Sequence, residues 1–563
     1  MRLKMSRDDL RSAWLITIAC AAVSMVVAAM AALNTALPDI SIDVGADAGQ
    51  MTWIVDGYTL ALAALLLPAG AIGDRFGRRG VLIVGLTVFA IASLLAIWVT
   101  DPTQLIATRC IAGAGAALIM PTTLSLITSG VPESRRAMAV SIWAAVAGAG
   151  AIAGFLITGV LLEFFSWHSI FITFAASSVI SALLCFTIGT SRDRNPGPFD
   201  ILGSVSSVLA VTGIVFGLLE APHRGWGDPV VLICLVGGIL LVAGFCVLEL
   251  RRTSPLLDIR LFTNRAFASG SLSVSMQFLG SFGMFYLLLQ QLQLVFGYSA
   301  LKSALALLPF VVGVGIFSLV GNWMAVRFHS VKYFISGGVL LSGVGIILMG
   351  AVDYDDYLSV AWILGIFATG IGLANATSTT AIMSNTPLDN QGIGSAVNDT
   401  AREVGAAIGI ALAGSIVAAG WSSRIGPVAD ATREQMVEAG QQRTAAGDTA
   451  GGQALIAQAD VVADTVRRSL AEASAVADRL ADQAGPLAAR ILDGAREAFM
   501  APLSQAYIVL GSVIVASSFL LLWLTPLRMV EKSPDDTGDS DVENADDLDD
   551  DTDQKVVDTR SGG

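Results

Sequence analysis

Charge is scarce in this chain. Only 14% of its 563 residues are Asp, Glu, Lys or Arg, against roughly 25% in an ordinary soluble domain. Histidine is rarer: His168, His223 and His329 are the whole supply. They fall in or near separate loops, so no Ser-His-Asp or histidine-based metal arrangement can be read from them. The cysteines, Cys20, Cys110, Cys185, Cys234 and Cys246, sit singly inside apolar runs. They read as small core residues, with neither metal-ligand spacing nor a disulfide framework. No GxxxxGK[ST] phosphate loop occurs, and glycine clusters such as Gly113-Ala-Gly115 lack its lysine, so no nucleotide-driven engine is visible. Alternating segments of about ten residues, the mark of a membrane β-barrel, are also missing. No enzyme chemistry, cofactor, metal, nucleotide or nucleic-acid partner is expected.

What is present is apolar length. Hydrophobic residues make up 54% of the chain and mean hydropathy is +0.70. Runs of about 20 residues, enough to cross a bilayer, recur almost throughout. The net charge of −13 is concentrated: Glu531 to Arg560 holds thirteen acidic and three basic residues, a net −10, leaving −3 for everything else. That tail is predicted to be disordered and cytoplasmic. The N-terminal start, Arg2, Lys4, Arg7 and Arg11 before an apolar run, imitates a signal peptide. The run from about Trp14 to Leu37 exceeds the 7–15 residues of a signal core and is read as the first membrane helix.

Fourteen spans are predicted, at 14–37, 51–73, 80–99, 104–129, 137–160, 167–189, 200–219, 228–249, 266–288, 303–326, 332–352, 357–385, 393–418 and 505–525. Basic loops set the orientation. Arg75, Arg78, Arg79, Arg135, Arg136, Arg192, Arg194, Arg251, Arg252, Arg260, Arg265, Arg327 and Lys332 lie on one side. Asp39, Asp43, Asp47, Asp101, Asp353, Asp355 and Asp356 lie on the other, with Arg224 and Lys302 as exceptions. A cytoplasmic (inner) membrane protein with both termini in the cytoplasm follows. The segment 419–503 then lies outside the cell. Leu455, Val462, Val466, Leu470, Ala473, Val476 and Leu480 recur there at helical spacing, which predicts an amphipathic helix. Gly485-Pro486 would break it before a second helix over Leu487–Met500.

Two loops echo each other. Gly70 to Arg79 reads GAIGDRFGRR and Gly321 to Lys332 reads GNWMAVRFHSVK, both with a glycine, an Arg-Phe pair and a trailing basic residue. Such repeats are common in transporters. The echo predicts a six-helix bundle over 1–195, an inserted helix pair over 196–260 and a second six-helix bundle over 261–530, giving an all-α polytopic membrane protein arranged 6 + 2 + 6.

In the first of these loops Gly70 and Gly77 permit close approach of helix ends. Asp74 can cap a neighbouring helix or pair with an arginine, and Arg75 and Arg78 supply charge. The segment resembles the cytoplasmic loop signature of the major facilitator superfamily, a resemblance which implies that such contacts lock one access state and break in the other. Trp53-Ile-Val-Asp56-Gly-Tyr58, Asn34-Thr-Ala-Leu-Pro38, Arg109 with Gly113 and Gly115, Leu257 to Phe267, Gly297 to Ala300 up to Pro309, and Ser395 to Gly409 are similar to its fourteen-helix drug:proton antiporter branch. The long loop before the last helix resembles that of the quaternary-ammonium exporters. This resemblance implies the major facilitator fold and proton-coupled, alternating-access efflux of multiple drugs. Two positions depart from the branch. Ala29 stands where it usually carries a carboxylate, and Phe155 where it has a proline; Gly150, Gly154 and Gly159 still permit close packing of the fifth helix.

An ionisable residue inside a membrane helix is a functional hypothesis by default. Asp56 and Arg109 are expected at one depth, able to pair, with Asp56 replacing the acid missing at Ala29 in proton coupling. Asp399 and Glu403, spaced i, i+4, share a face and are expected to meet substrate; the alternative is that Arg402 neutralises one of them as local structure. Trp53 and Tyr58 are expected to line the substrate cavity. Met120, Trp143, Trp167, Phe282, Phe285 and Tyr286 can add cation–π surface. The expected partners are a small amphipathic, cationic molecule, protons and the lipid bilayer, with the chain a monomer. Two other readings stay open: export of an endogenous metabolite or lipid with altered proton coupling, and a scaffold or receptor acting through the outer loop.

Overall fold

In lipid every backbone N–H and C=O must find a partner within the segment, so apolar runs of this length close into helices. The computed structural model describes residues 7–46, 48–192, 198–328, 330–352, 357–480 and 485–527. Among these it contains helices and no strands. The first six are α1 (Arg7–Val44), α2 (Ala48–Phe76), α3 (Arg78–Ala96), α4 (Pro102–Gly130), α5 (Glu133–Phe164) and α6 (His168–Cys185). An inserted pair follows, α7 (Ile201–Arg224) and α8 (Pro229–Arg251). The second half comprises α9 (Arg265–Gln290), α10 (Ala300–Ala306), α11 (Leu308–Arg327), α12 (Val331–Ala351), α13 (Tyr357–Ser384) and α14 (Gln391–Arg424). Then come α15 (Gly426–Ala445), α16 (Thr449–Arg468), α17 (Leu470–Leu480) and α18 (Gly485–Leu524). Fourteen spans among the described residues are long and apolar enough to cross a membrane, α10 and α11 together making one of them.

Local chemistry sets the ends. Asp101 Oδ1 accepts the N–H of Thr103 at 2.8 Å and of Gln104 at 3.2 Å, capping α4. Asp228 caps α8 through the Val230 N–H at 2.8 Å. Gly77, at φ 103°, makes the sharp turn from α2 to α3, a conformation L side chains resist. The span predicted over 303–326 divides at Leu307, because Pro309 at the start of α11 has no N–H to continue the preceding turn. The helices predicted over 487–500 and 505–525 instead form the single 40-residue α18, with Pro502 inside it.

The buried apolar residues fall into three clusters. One buried cluster centres on α1–α6, a second on α9–α14 and α18. A third, small one holds Ala63 of α2, Val211, Val215 and Leu218 of α7, and Ala407 and Ala411 of α14. The inserted α7 therefore covers the seam where α2 meets α14. Its partner α8 turns Leu232, Ile233, Val236, Ile239 and Leu240 outward, a face suited to lipid. The first cluster also takes in Phe267, Val274, Ile382, Ala396 and Val397 of the second half. These lie toward the end of the bundle that carries Asp74, so the halves are shut there.

Helices α15 to α17 lie at the opposite end. The single amphipathic helix predicted for this region is broken at Ser469, whose backbone is extended (φ −163°, ψ 162°). The stripe still buries Val466, Leu470, Ala473 and Val476. Arg433 pairs with Asp460, and Arg467 with Asp430, across α15 and α16. The acidic tail over 531–563, together with Asp47, Arg194, Asp353, Asp355 and Asp356, lies outside the described residues.

Candidate functional site

Asp74, two residues before the end of α2, does both things its surroundings permit. Its Oδ1 accepts the backbone N–H of Gly392 at 2.8 Å and its Oδ2 that of Ile393 at 3.0 Å. It thus caps the first turn of α14, where N–H groups have no helical acceptor and the helix dipole favours an anion. Arg78 completes the pairing, its Nη2 2.6 Å and its Nε 2.9 Å from Asp74 Oδ1. The same guanidinium donates to the carbonyls of Leu388 at 3.1 Å and Asp389 at 3.3 Å. Gly70 is indispensable here: a Cβ on it would lie 2.5 Å from the Gly392 carbonyl oxygen. One acid, one arginine and two glycines therefore clamp the two halves together. The Arg75 guanidinium lies 5.7 Å from the Phe76 ring centroid. Gly150 and Gly154 act elsewhere, letting α5 press on Val27 and on the Ala28 carbonyl of α1.

The expected Asp56–Arg109 pair does not form. Arg109 is level with Ala29 and Ile54, donating to their carbonyls at 3.1 Å each, so the shared depth holds. Its guanidinium then lies over the Tyr58 ring, 4.3 Å from the centroid. Helical phase explains the outcome. Ile54 and Tyr58, i and i+4, face α4, whereas Asp56 is two residues from each and so about 200° round the helix. Asp56 faces α7 with Trp53, whose ring centroid is 5.5 Å from that of Phe216. Its charged neighbour there is Glu220, itself 2.5 Å from Arg224. Tyr58, expected in the substrate cavity, is fully buried and donates its hydroxyl to the Val26 carbonyl at 2.9 Å. Its cation-binding face is already covered by Arg109.

Asp399, Arg402 and Glu403 are buried together in α14. Arg402 does not neutralise either acid by direct pairing. Its guanidinium lies over Trp143 of α5 (4.8 Å to the centroid) and Phe278 of α9 (4.9 Å), bridging the halves by cation–π contact. The Trp143 face expected to receive substrate is thus filled by the protein's own cation. Asp399 Oδ1 accepts from Asn398 Nδ2 at 3.1 Å, and Thr379 Oγ1 lies 3.1 Å from Asn398 Oδ1. Asp399 Oδ2, Arg402 Nε and Glu403 Oε2 are buried with no hydrogen-bond partner. Orphaned polar atoms of this kind are rare, and they make these three residues a candidate site. Phe285, by contrast, packs edge-on against Phe310 and Phe367 as core. No group of metal-binding side chains occurs among the described residues.

Sequence reasoning passed over three contributors. Glu220 lies just past the span predicted over 200–219, where nothing in the spacing singles it out. Asn398 and Thr379 are neutral, and only the fold shows that they tie the acid to α13.

Known proteins resemble this chain over most of its length. The multidrug efflux pump LfrA of Mycolicibacterium smegmatis is 35% identical over 453 residues, covering 79% of this chain and 87% of that protein. The methyl viologen resistance protein SmvA of Salmonella typhimurium is 32% identical over 396 residues, 70% of this chain and 80% of its own length. The solved proton:xylose symporter XylE, bound to 6-bromo-6-deoxy-D-glucose, superposes with a TM-score of 0.52 over 71% of this chain and 87% of that one; at 13% identity it speaks to the fold alone. The profile of the Major Facilitator Superfamily matches residues 19–410, and the chain belongs to that family.

Proposed function

We propose that this protein exports amphipathic, cationic drugs or toxic compounds across the cytoplasmic membrane by alternating access, driven by inward proton flow. The observation that carries the reading is the buried Asp399–Arg402–Glu403 cluster, with an unpartnered oxygen on each acid, set where α14 meets α5 and α9. Two carboxylates in a low-dielectric site attract a cation or a proton far more strongly than in water. The Asp74 clamp supplies the complementary part, a latch that closes one end while the other can open. The names of the relatives, a multidrug efflux pump and a methyl viologen resistance protein, agree with an organic cation as cargo. In this reading the Asp74 end is cytoplasmic, as the basic loops require, and Asp56 serves proton exchange from the α7 side.

Ala29 and Phe155 keep a second reading alive, export of an endogenous metabolite or lipid with altered proton coupling. One experiment separates the two. Purified protein in proteoliposomes is given an imposed pH gradient and either methyl viologen or an uncharged dye. Gradient-dependent movement of the dication supports the proposal. Transport indifferent to the gradient supports the second reading, and no transport of either compound leaves only a scaffold acting through α15–α17.

A further inference from the structure

The Asp74 clamp joins α2 to α14 on one side of the bundle. On the other side, where α5 meets α11, Asn322 makes the corresponding crossing. Its Nδ2 donates to the Ala137 carbonyl at 2.8 Å and to Ser141 Oγ at 2.7 Å, both on α5, and lies 3.2 Å from Thr380 Oγ1 on α13. Two amide hydrogens serve three acceptors, and the two shorter contacts reach the first half. Asn322 is 2% exposed and its Oδ1 has no donor. Reversing the amide would set that oxygen against the Ala137 carbonyl, so the nitrogen faces α5.

Position makes this a gate contact. Thr380 is one turn from the end of α13, and α14 begins just beyond with Gly392 on Asp74. Asn322 and the Asp74 clamp therefore lie at the same end of the bundle, on opposite sides of it. Aligning Arg75-Phe76 with Arg327-Phe328 sets Asn322 opposite Gly70 in the two loop sequences that echo each other. Each of these equivalent positions meets the other half, Gly70 at the Gly392 carbonyl and Asn322 at the Ala137 carbonyl.

We infer that Asn322 is a second latch, holding α5 to α11 while Asp74 holds α2 to α14, so that this end opens only when both release. The inference rests on the alternating access proposed above and is independent of what is carried. A neutral amide against a carbonyl and a hydroxyl is a weaker tie than the Asp74 clamp, and the orphaned Oδ1 makes its closed position poised rather than rigid.

Hydrogen–deuterium exchange on the full-length protein in lipid nanodiscs tests this, comparing wild type, Asn322→Ala, Ser141→Ala, Asp74→Asn and Asn322→Ala/Asp74→Asn. Loss of one net neutral hydrogen bond predicts about fivefold faster exchange in Asn322→Ala. The gain is confined to the first turns of α5 and α14, with α15–α17 unchanged. Ser141→Ala shifts the same segments from the opposite half and stands in if Asn322→Ala does not fold. The double variant exceeds either single one. Unchanged exchange in both neutral variants, or a rise spread over both ends of the protein, overturns the latch. If Asp74→Asn alone opens this end, the latch is wrong while alternating access stands; if no variant opens it, both fall.

Discussion

Asp74 on α2 accepts the backbone N–H of Gly392 on α14 at 2.8 Å, across a sequence separation that spans both halves. The contact is anionic on one side and a helix N-terminus on the other, so it is lost if the carboxylate is neutralised or the helix moves. The Asp74→Asn variant keeps the size but gives up the Arg78 ion pair and one acceptor oxygen. Charge-assisted bonds of this type are worth about 1.5–3 kcal/mol each. We expect substrate affinity close to wild type and exchange between access states impaired. Equilibrium binding and counterflow on the same preparation check this; lost binding with intact counterflow contradicts the clamp.

A steric test of the same closure uses glycine. In Gly392→Ala the new Cβ would lie 2.5 Å from the Gly70 carbonyl oxygen and 2.6 Å from Asp74 Oδ1, too close for any real contact. We expect transport to fall by an order of magnitude or more while the protein folds and inserts. Gly315→Ala on α11, where a Cβ meets nothing within 4 Å, is the control and should transport like wild type. Equal activity in the two variants would remove the closed α2–α14 contact from the cycle.

Asp56 and Arg109 part company in the structure, and their substitutions should part as well. Asp56→Asn is expected to abolish gradient-driven efflux with expression retained. Arg109→Lys keeps charge but not the planar contact over Tyr58 or the pair of carbonyl bonds, and is expected to lower thermal stability, by about 1–3 kcal/mol. Wild-type transport by purified Asp56→Asn in proteoliposomes rules out the proton role. Placing an acid at Ala29, which lies beside Arg109 rather than Asp56, is then a poor rescue of Asp56→Asn.

Much of this architecture was legible in the residues because lipid leaves a chain few options. Fourteen long apolar runs, and an echo between two loops, determine the span count and the 6 + 2 + 6 order. Asp74 was legible as a cap or ion-pair partner because glycines and arginines surround it at fixed spacing. What failed was azimuth. Asp56 and Arg109 do share a depth, but pairing needs the right helical face, and the i, i+4 relation of Ile54 to Tyr58 already places Asp56 on the other one. Occupancy failed too. Tyr58 and Trp143 offer faces for a foreign cation, and sequence spacing does not show that Arg109 and Arg402 reach them first. The interruption at Ser469 left no signal because the apolar stripe runs on through it.

The charged centre of α14 gives the most direct test of cargo. Counting from Gln391, Asp399 lies about 12 Å and Glu403 about 18 Å along the helix from the Asp74 end. A bilayer core is roughly 30 Å thick, so Glu403 is near its middle. A cation entering from that end meets Asp399 first. Asp399 is steadied by Asn398, and each acid keeps one oxygen without a donor. Attraction between unit charges rises several-fold between bulk water and a partly desolvated site. Glu403→Gln should therefore slow a dication much more than an uncharged dye, and Asp399→Asn should do so less strongly. Neutralising Arg402 removes repulsion but also its contacts with Trp143 and Phe278, so a fall in thermal stability is expected beside any gain for cations. The measurement is the ratio of transport rates for methyl viologen and the uncharged dye, in wild type and in each variant, with folding checked by thermal unfolding. A ratio unchanged in both acid variants would make Asp399 and Glu403 internal counter-charges of Arg402 and take the cation-binding role away from α14.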